Sequence, residues 1–377
     1  MLVMSNFIEP GATVGIIGGG AAALQLVRAA HDLGMHAAVL ARTNGDVALT
    51  EAEFPLVGRS TDVDALEQLR DLSAVITYID ESVADATTLD DLVPAEKIPG
   101  GTDFLAMAQD RYLEKVFLED LNMNVLPYAQ VVTADDIDKA VNAVGFPSIL
   151  KPIQKGIGQD QQLALTNDAD IWRAKGLLEK RPYIVEAWLD HPREFAITAI
   201  RTADGMQVLP AVENKVAHHE LQYTILPAQV DSAVAEEMER ITRKVGEQIT
   251  QVGLFTVEFF LTSEGTLYVK RLSPGPHQSA DVYTSATTSS QYTLHMRAVC
   301  GWPVAEVRVM DGAVMKPLRP EQLGAVSVQI QIKPDWHWRF FPEGSPVFGE
   351  LTVLGAPTKV IEQLNATGDL ALDLNAD

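Results

Sequence analysis

A short apolar run at residues 12–17 ends in three consecutive glycines, Gly18, Gly19 and Gly20, and a helical pattern follows at residues 21–33. Residues 37–40 and 74–78 have further strand patterns, and a helical pattern at residues 65–72 lies between them. Strands that alternate with helices predict a parallel, doubly wound α/β sheet. A ligand of such a sheet is expected beyond the carboxyl ends of the strands, near the glycines and residues 78–81.

The glycine turn also matches the loose dinucleotide-binding pattern, with Gly18, Gly20 and Ala23 at its positions. A nicotinamide cofactor requires a carboxylate about twenty positions later to hold the ribose. The second strand instead ends in LAR at residues 40–42, which disfavours that cofactor. A tight strand-to-helix turn and a phosphate contact both stay open for the glycines.

The pattern changes after residue 108, as expected for a chain of 377 residues, which exceeds one typical hydrophobic core. Residues 111–121 and 135–144 are predicted helices of a small α+β module, with extended segments at 125–132, 149–152 and 183–186. Predicted strands follow at residues 195–201, 207–212, 256–261, 267–272, 325–332 and 346–354, with helices at 232–252 and 291–299. We therefore predict domains at 1–108, 109–188 and 189–377, the last with a β-rich part from about residue 312.

Charge and composition exclude several classes of function. The formal net charge of −22 disfavours nucleic acid as a partner, because a duplex binder neutralises phosphates with clustered Lys and Arg. The single cysteine, Cys300, excludes an intramolecular disulfide and fits a reducing compartment. The first residues, MLVMSNFIEP, lack the pattern of an export signal, and no run approaches the roughly 18 apolar residues of a membrane helix. We expect a cytoplasmic protein that does not bind membranes.

The order of several specific segments resembles one enzyme family. The segments are PGATVGIIGGG at the start, ITYIDE, QDRYLEK, FPSILKP, YIVEAWLDHPREFAI, FTVEFF, LSPGPHQS and QYTLHMRAVCGWPV. Together they resemble the 5-(carboxyamino)imidazole ribonucleotide synthase family, the ATPase subunit of phosphoribosylaminoimidazole carboxylase, within the ATP-grasp superfamily. The resemblance is collinear over roughly residues 10–355.

This resemblance implies an ATP-grasp architecture with an N-terminal Rossmann-like domain, in which ATP lies between two antiparallel sheets. It also implies a ligase of purine biosynthesis that forms carboxyphosphate from ATP and bicarbonate. The carboxyl group then passes to the amine of 5-aminoimidazole ribonucleotide. Family members commonly form homodimers, and a homodimer is expected here.

The resemblance also assigns residues to ATP. Arg111 and Lys151 match cationic positions that contact the phosphates, a suitable use of fixed positive charge. Glu194 matches a carboxylate that accepts hydrogen bonds from the ribose. The adenine-binding segment is expected at Glu186, Ala187 and Leu189.

The expected catalytic residues are Glu258, Arg271 and His277, and Glu258 matches one of two family glutamates that bind Mg²⁺. On the apolar strand FTVEFF, Glu258 requires a partner or a metal, and a salt bridge to Lys270 or Arg271 is an equal alternative. The second metal-binding glutamate of the family falls at Arg271, and its neighbouring asparagine falls at Lys270. A guanidinium cannot coordinate Mg²⁺, so the sequence puts magnesium in doubt.

Further departures concern the substrate. Gly20, Tyr78, Glu81 and His277 are the expected substrate contacts. The phosphate-covering loop of the family is KGIGQDQQ at residues 155–162, where Gly156 and Gly158 still allow backbone N–H groups to face an anion. GSPVFGE at residues 344–350 replaces an Arg-Lys pair expected to bind the ribonucleotide phosphate.

Three interpretations stay open on the sequence alone. The chain could be an active synthase with local substitutions, or an ATP-grasp ligase that joins another carboxylate to another amine. The third is a nucleotide-binding paralogue without this activity. The synthase reaction is the one concrete chemistry that the matching residues suggest.

Overall fold

The computed structural model describes residues 7–156, 161–178, 181–218 and 220–372. The predicted parallel sheet is confirmed, with strand order β3-β2-β1-β4 and parallel pairing throughout. Its elements are β1 (Thr13–Ile17), α1 (Ala21–Asp32), β2 (His36–Ala41), β3 (Phe54–Val57), α2 (Val63–Leu72), β4 (Val75–Tyr78), α3 (Ala86–Leu92) and α4 (Asp103–Gln109).

Alternate residues of β2 explain why this sheet is covered on both faces. Ala37 and Val39 pack into a core with α1, whereas Ala38 and Leu40 pack into a second core with α2 and α3. Successive side chains of a strand point to opposite faces, so a continuous apolar run requires two covering layers.

A small antiparallel sheet follows, with strand order β5-β8-β6-β7. The segment contains α5 (Arg111–Asp120), β5 (Tyr128–Val131), α6 (Ile137–Val144), β6 (Ser148–Pro152), β7 (Leu163–Leu165), α7 (Asp168–Leu178) and β8 (Tyr183–Ala187). Helices α6 and α7 cover one face, where Ile137, Val141 and Ile171 are buried against Leu150 and Val185. The other face carries Lys151 and Glu186, and Lys115 of α5 contacts Glu186 there. Gly158 lies outside the described residues.

A large antiparallel sheet forms the rest of the chain, in the order β14-β13-β9-β11-β12-β15-β17-β16, with β10 paired to β9. Its strands are β9 (Arg193–Thr202), β10 (Gly205–Val208), β11 (Val212–Ala217), β12 (Glu220–Leu226), β13 (Gly253–Leu261), β14 (Leu267–Pro274), β15 (Ala313–Leu318), β16 (His337–Phe340) and β17 (Gly349–Leu354). Its helices are α8 (Ser232–Gln248), α9 (Tyr283–Ala286), α10 (Gln291–Val299), α11 (Leu323–Ile332) and α12 (Pro357–Asn365). No helix in the described ranges is long and apolar enough to cross a membrane.

Helix α10 joins the large sheet to the parallel sheet. Its Tyr292 and Met296 belong to the same core as α1, and its Leu294 belongs to a core with Leu254 of β13. His295 accepts a hydrogen bond at Nδ1 from the Leu254 N–H, 3.1 Å away, so the neutral ring donates from Nε2 to Thr77 Oγ1 at 2.7 Å. Burial lowers the pKa of His295 to about 4. His295 is therefore a packing residue that connects β13 to β4.

The strand predicted at residues 325–332 is wrong, because these residues belong to α11. Their apolar–polar alternation is typical of a strand, but a short pattern of this kind does not exclude a helix. The helix begins after a turn in which Gln322 accepts a hydrogen bond from the Arg319 N–H at 3.0 Å. As a helix, the segment buries Val326 and leaves Val328 and Ile332 exposed.

The strand predicted at residues 207–212 is divided between β10, which ends at Val208, and β11, which begins at Val212. Pro210 lies between them and cannot donate to a strand ladder. The domain boundaries at 1–108, 109–188 and 189–377 stay predictions. The chain after residue 312 continues the large sheet, because β15 pairs with β12.

A close backbone contact fixes the end of β14 against the end of β4. Gly275 has φ +82°, and a Cβ atom added there would lie 2.5 Å from the carbonyl oxygen of Ile79. The Gly275 N–H also donates to the Leu254 carbonyl at 2.9 Å. A side chain at this position would force the end of β14 away from Ile79.

We predict that Gly275→Ala destabilises the fold through both the left-handed backbone and the contact with Ile79. Gly265→Ala is the matched control, since Gly265 has φ +84° but an added Cβ meets no described atom within 4 Å. Gly265→Ala is expected to lower the free energy of unfolding by about 1–2 kcal/mol, through the backbone conformation alone. Gly275→Ala is expected to cost about 1–3 kcal/mol more, as in overpacked sites. If both variants lose the same free energy of unfolding in urea, the contact with Ile79 does not contribute to the effect of Gly275→Ala.

Candidate nucleotide and substrate site

A cluster of charged side chains lies where the small sheet meets the large one. Helix α5 connects the two sheets, because the Lys115 ammonium lies 3.4 Å from the Lys270 carbonyl of β14. Glu114 of α5 accepts a hydrogen bond from the Leu272 N–H at 2.6 Å. The side chains of Glu114 and Lys115 are 3% exposed, so the contact between α5 and β14 is buried.

Glu186 lies between two lysines at the small-sheet side of this cluster. Its carboxylate oxygens lie 2.7 Å from Lys115 Nζ and 2.7 Å from Lys151 Nζ. Burial by itself would raise the pKa of Glu186, but the two ammonium groups outweigh it and lower the pKa to about 2. Lys151 keeps 25% of its side chain exposed and can meet a ligand, whereas Lys115 cannot.

Lys155 connects three parts of the chain. Its ammonium lies 3.0 Å from Glu114 Oε1, 3.7 Å from Glu81 Oε1 and 3.4 Å from the Leu272 carbonyl. Glu81 follows the last strand of the parallel sheet, and Lys155 follows β6 of the small sheet. This contact therefore brings the end of the parallel sheet to the charged cluster. We call the space between the two antiparallel sheets, which this cluster lines, the cleft.

Glu258 is surrounded by two cations and a histidine at the large-sheet side of the cluster. Arg271 Nη2 lies 2.6 Å away, His277 Nε2 lies 2.8 Å away and Lys270 Nζ lies 3.0 Å away. Burial would raise the pKa of Glu258, but Arg271, Lys270 and His277 together hold it well below its usual range. Glu258 in turn raises the pKa of Arg271.

The described arrangement does not fit a magnesium site. Mg²⁺ prefers an octahedron of hard oxygen donors, including free carboxylate oxygens. Both oxygens of Glu258 already contact cations, and Arg271 lies directly opposite Glu258 in the register of β13 and β14. Among the residues that the structure describes, no three His, Cys, Asp or Glu side chains form a group that could hold a metal ion. Salt bridges from Glu258 to Lys270 and Arg271 are present, and the roles of Glu258, Arg271 and His277 in catalysis stay predictions.

The remaining residues assigned to ATP line the same cluster. Lys270 connects Glu258 to Glu194, whose Oε2 lies 2.8 Å from the ammonium. Arg111 begins α5 and donates from Nη1 to the Pro152 carbonyl at 2.7 Å, and burial lowers its pKa. Because α5 begins beside the end of β6, Arg111 and Lys151 lie at the same edge of the small sheet.

The expected adenine-binding segment lies at the end of β8. The Ala187 N–H already donates to the Pro127 carbonyl at 2.9 Å, so it cannot also donate to a base without losing that bond. Leu189 lies in the connection from β8 to β9 and is partly buried. The roles of Glu186, Ala187 and Leu189 toward adenine stay predictions.

The four residues assigned to the substrate have different surroundings. Gly20 precedes α1, and no described atom lies within 4 Å of a Cβ added there. Tyr78 is 2% exposed, and its hydroxyl donates to the Gly101 carbonyl at 3.1 Å. Glu81 and His277 both lie in the charged cluster. Tyr78 can therefore contact a substrate only through its backbone, whereas Glu81 and His277 present polar side-chain atoms.

A hydrogen-bond chain extends from His277 to the last strands. Gln291 donates from Nε2 to the His277 carbonyl at 2.9 Å and to Asp281 Oδ1 at 2.8 Å. Arg339 of β16 lies 3.9 Å from Asp281 and 3.1 Å from Glu350. Burial, and then the neighbouring Asp281 carboxylate, raise the pKa of Glu350 well above its usual range. The segment at residues 344–350 thus ends in a buried acidic pair beside one arginine.

Three residues that contact the site were not predicted from the sequence, namely Lys115, Lys155 and Arg339. Lys115 carried a signal, because Glu114 and Lys115 interrupt the buried face of an amphipathic helix, where charges require partners. Lys155 adjoins Gly156 in the expected phosphate loop. Arg339 carried no signal, since its partners lie on other elements.

Comparison with known proteins identifies the family of the chain. A family model of the ATP-grasp domain matches residues 116–292, and a model of the ribonucleotide synthetase preATP-grasp domain matches residues 11–109. The fold and these matches define an ATP-grasp protein. N5-carboxyaminoimidazole ribonucleotide synthase from Staphylococcus aureus is 31% identical over 364 residues, which cover 95% of this chain and 96% of the relative. The Bacillus subtilis synthase is 29% identical over 322 residues, or 85% of this chain and 84% of the relative.

Solved structures give the same result. The Staphylococcus aureus N5-carboxyaminoimidazole synthetase complexed with ADP is 29% identical, with TM-score 0.86, over 96% of this chain and 98% of that one. An ADP complex of another N5-carboxyaminoimidazole ribonucleotide synthetase is 26% identical, with TM-score 0.87, over 97% and 98% of the two chains. The chain belongs to the N5-carboxyaminoimidazole ribonucleotide synthase family.

The ion pairs of Glu186 predict a pH dependence of stability. Since its pKa is about 2 in the folded chain and 4.5 ordinarily, the carboxylate stabilises the fold above about pH 4.5. That contribution is lost as the pH falls from about 4.5 to about 2. We predict that Glu186→Gln lowers the free energy of unfolding by about 3 kcal/mol at pH 7, at about 1.4 kcal/mol per pKa unit.

The measurement is urea unfolding of the wild type and Glu186→Gln between pH 7 and pH 3. The difference between them should shrink at the acid end. Glu362→Gln, at an exposed position of α12, is the control and should follow the wild type throughout. A difference that is the same at all pH values would contradict the low pKa of Glu186.

Proposed function

We propose that this chain carboxylates 5-aminoimidazole ribonucleotide with ATP and bicarbonate, in purine synthesis. The observation that carries the proposal is the cationic cleft between the two antiparallel sheets, where Arg111, Lys151, Lys270 and Arg271 come together. The family relationship supports it over 95% of the chain. We further propose that the protein acts in the cytoplasm as a homodimer, as the family resemblance implies.

The phosphates of ATP would lie against Lys151, Arg111 and Arg271. Lys151 and Arg271 have side chains that are 25% and 42% exposed, so Lys151 can exchange its carboxylate partner for a phosphate and Arg271 can offer the donors that do not face Glu258. Charged hydrogen bonds to phosphate oxygens are stronger than those between neutral groups. Glu194, held 2.8 Å from Lys270, would accept from the ribose hydroxyls.

The reaction would proceed in two displacements. A bicarbonate oxygen attacks the γ-phosphorus of ATP, so that ADP leaves and carboxyphosphate forms. The exocyclic amine then attacks the carboxyl carbon, inorganic phosphate leaves and the amine loses a proton. Glu81, at the end of the parallel sheet and 3.7 Å from Lys155, would face that amine with its carboxylate. His277, which lies 2.8 Å from Glu258, would position the carboxyl group.

A second function is favoured by the acidic pair of Asp281 and Glu350. The family places an Arg-Lys pair for the ribonucleotide phosphate in this segment, whereas here a buried acidic pair stands in that region and Arg339 already faces both carboxyl groups. An ATP-grasp ligase for an amine without a phosphate would suit these residues. The third interpretation, a nucleotide-binding paralogue without catalysis, would retain the cations and lack turnover.

We predict that the purified protein releases ADP from ATP and bicarbonate, and that 5-aminoimidazole ribonucleotide stimulates the release. A coupled ADP assay with and without the ribonucleotide measures it. Stimulation by 5-aminoimidazole riboside, which lacks the phosphate, but not by the ribonucleotide would favour the second function. Nucleotide binding without ADP release in any mixture would contradict both enzymatic proposals.

We predict that Lys151→Ala weakens ADP binding by about 1.5–3 kcal/mol, as expected for a lost hydrogen bond to a charged group. Glu186 keeps Lys115 at 2.7 Å in this variant, so the fold should persist. Lys175→Ala, on α7 of the same module with a side chain 42% exposed, is the control. Calorimetric titration with ADP measures both variants, and unchanged affinity in Lys151→Ala would contradict the phosphate contact.

A further inference from the structure

We infer that this chain binds the phosphates of its nucleotide without a divalent metal ion, with Arg271 and Lys270 supplying the charge that Mg²⁺ would supply. The inference rests on the proposed nucleotide site, but not on the amine substrate or on turnover. Three observations carry it: the occupation of Glu258, the exposure of Arg271, and the balance of charge in the cleft.

The first observation is that Glu258 is closed to a metal. Its side chain is 5% exposed, and Arg271, Lys270 and His277 contact its oxygens at 2.6–3.0 Å. A Mg²⁺ ion would have to displace these contacts and then remain next to the released cations. At such distances, like charges repel strongly in a partly buried site. Breaking a buried pair also leaves an uncompensated charge.

The second observation is that Arg271 remains open to a ligand. It lies opposite Glu258 across the β13–β14 ladder, and its side chain is 42% exposed compared with 5% for Glu258. Arg271 uses Nε and Nη2 for Glu258, at 2.6 Å each, which holds the guanidinium in one orientation. A planar guanidinium has five N–H donors, and those not facing Glu258 suit phosphate oxygens. Lys270 adds a second ammonium beside it, with its side chain 25% exposed.

The third observation is the charge of the cleft. Its permanent cations outnumber its carboxylates by one, although the whole chain has a net charge of −22. The cations are Arg111, Lys115, Lys151, Lys155, Lys270 and Arg271, and the carboxylates are Glu81, Glu114, Glu186, Glu194 and Glu258. A glutamate in place of Arg271 would change the charge by two units, which equals the charge of one Mg²⁺ ion. The arginine therefore supplies, as a fixed side chain, the charge that a carboxylate site acquires from a bound metal.

The test is calorimetric titration of the full chain with ADP, once in excess EDTA and once in excess MgCl₂. We expect the two dissociation constants to agree within about threefold, or binding to be tighter in EDTA, because free ADP carries more negative charge toward the cations. Binding that is tenfold or more weaker in EDTA would overturn the inference.

Variants at position 271 separate charge from folding. Arg271→Gln should weaken ADP binding in both media, because Gln supplies no charge. Arg271→Glu should bind ADP at least about tenfold more weakly in EDTA than in MgCl₂. The reason is that two carboxylates, at positions 258 and 271, would coordinate Mg²⁺ and repel the phosphates without it. Arg243→Gln, at an exposed position of α8, is the control and should match the wild type. Thermal unfolding of each variant reports folding, and Arg271→Gln provides the test if Arg271→Glu fails to fold.

The outcomes also separate this inference from the proposed function. ADP release that requires Mg²⁺ and is stimulated by 5-aminoimidazole ribonucleotide, with metal-dependent binding, would overturn the inference and keep the function. Metal-independent binding without turnover would support the inference and remove the function. Failure to bind ADP in either medium would overturn both.

Discussion

The cleft depends on buried carboxylates that require cations beside them in the folded chain. Glu114, Glu186 and Glu258 are each at most 8% exposed, and an unpaired charge at that depth is strongly destabilising. Their partners come from different elements, so each ion pair is also a connection between parts of the fold. Lys155 illustrates this, since it contacts Glu81, Glu114 and the backbone of β14 together. The same ion pairs therefore determine the charge of the site and hold the three sheets next to one another.

Nucleotide binding has to be an exchange of partners in such a cleft. Lys151 can turn from Glu186 to a phosphate without exposing a bare charge, because Lys115 stays with Glu186 and is itself 3% exposed. Arg271 differs, because it can keep Glu258 and offer its remaining donors to the ligand. The free protein thus holds its phosphate-binding groups close to their final positions, which lowers the ordering cost of binding.

The sequence predicted the fold where local patterns and packing agree. The alternation of strands and helices before residue 109 predicted the parallel sheet, and the bounds of α10 agree with its apolar period at residues 291–299. For Glu258 the sequence left a metal role and a salt bridge as equal alternatives, because a charge on an apolar strand indicates that a partner exists but not which one. Glu186 and Lys115 are separated by about seventy positions, and only tertiary packing brings them together. Helix α11 shows the opposite case, because its period-two pattern is typical of a strand and the segment is nevertheless helical.

The two departures from the family pattern are connected through one short path. His277 contacts Glu258 at the nucleotide end, and Gln291 holds the His277 backbone on one side and Asp281 on the other. Asp281 lies in the buried acidic cluster with Glu350 and Arg339 at the other end. Gln291 is therefore the one hydrogen-bonded residue between the group around Glu258 and the group around Glu350, so a change in either group can reach the other through its contacts.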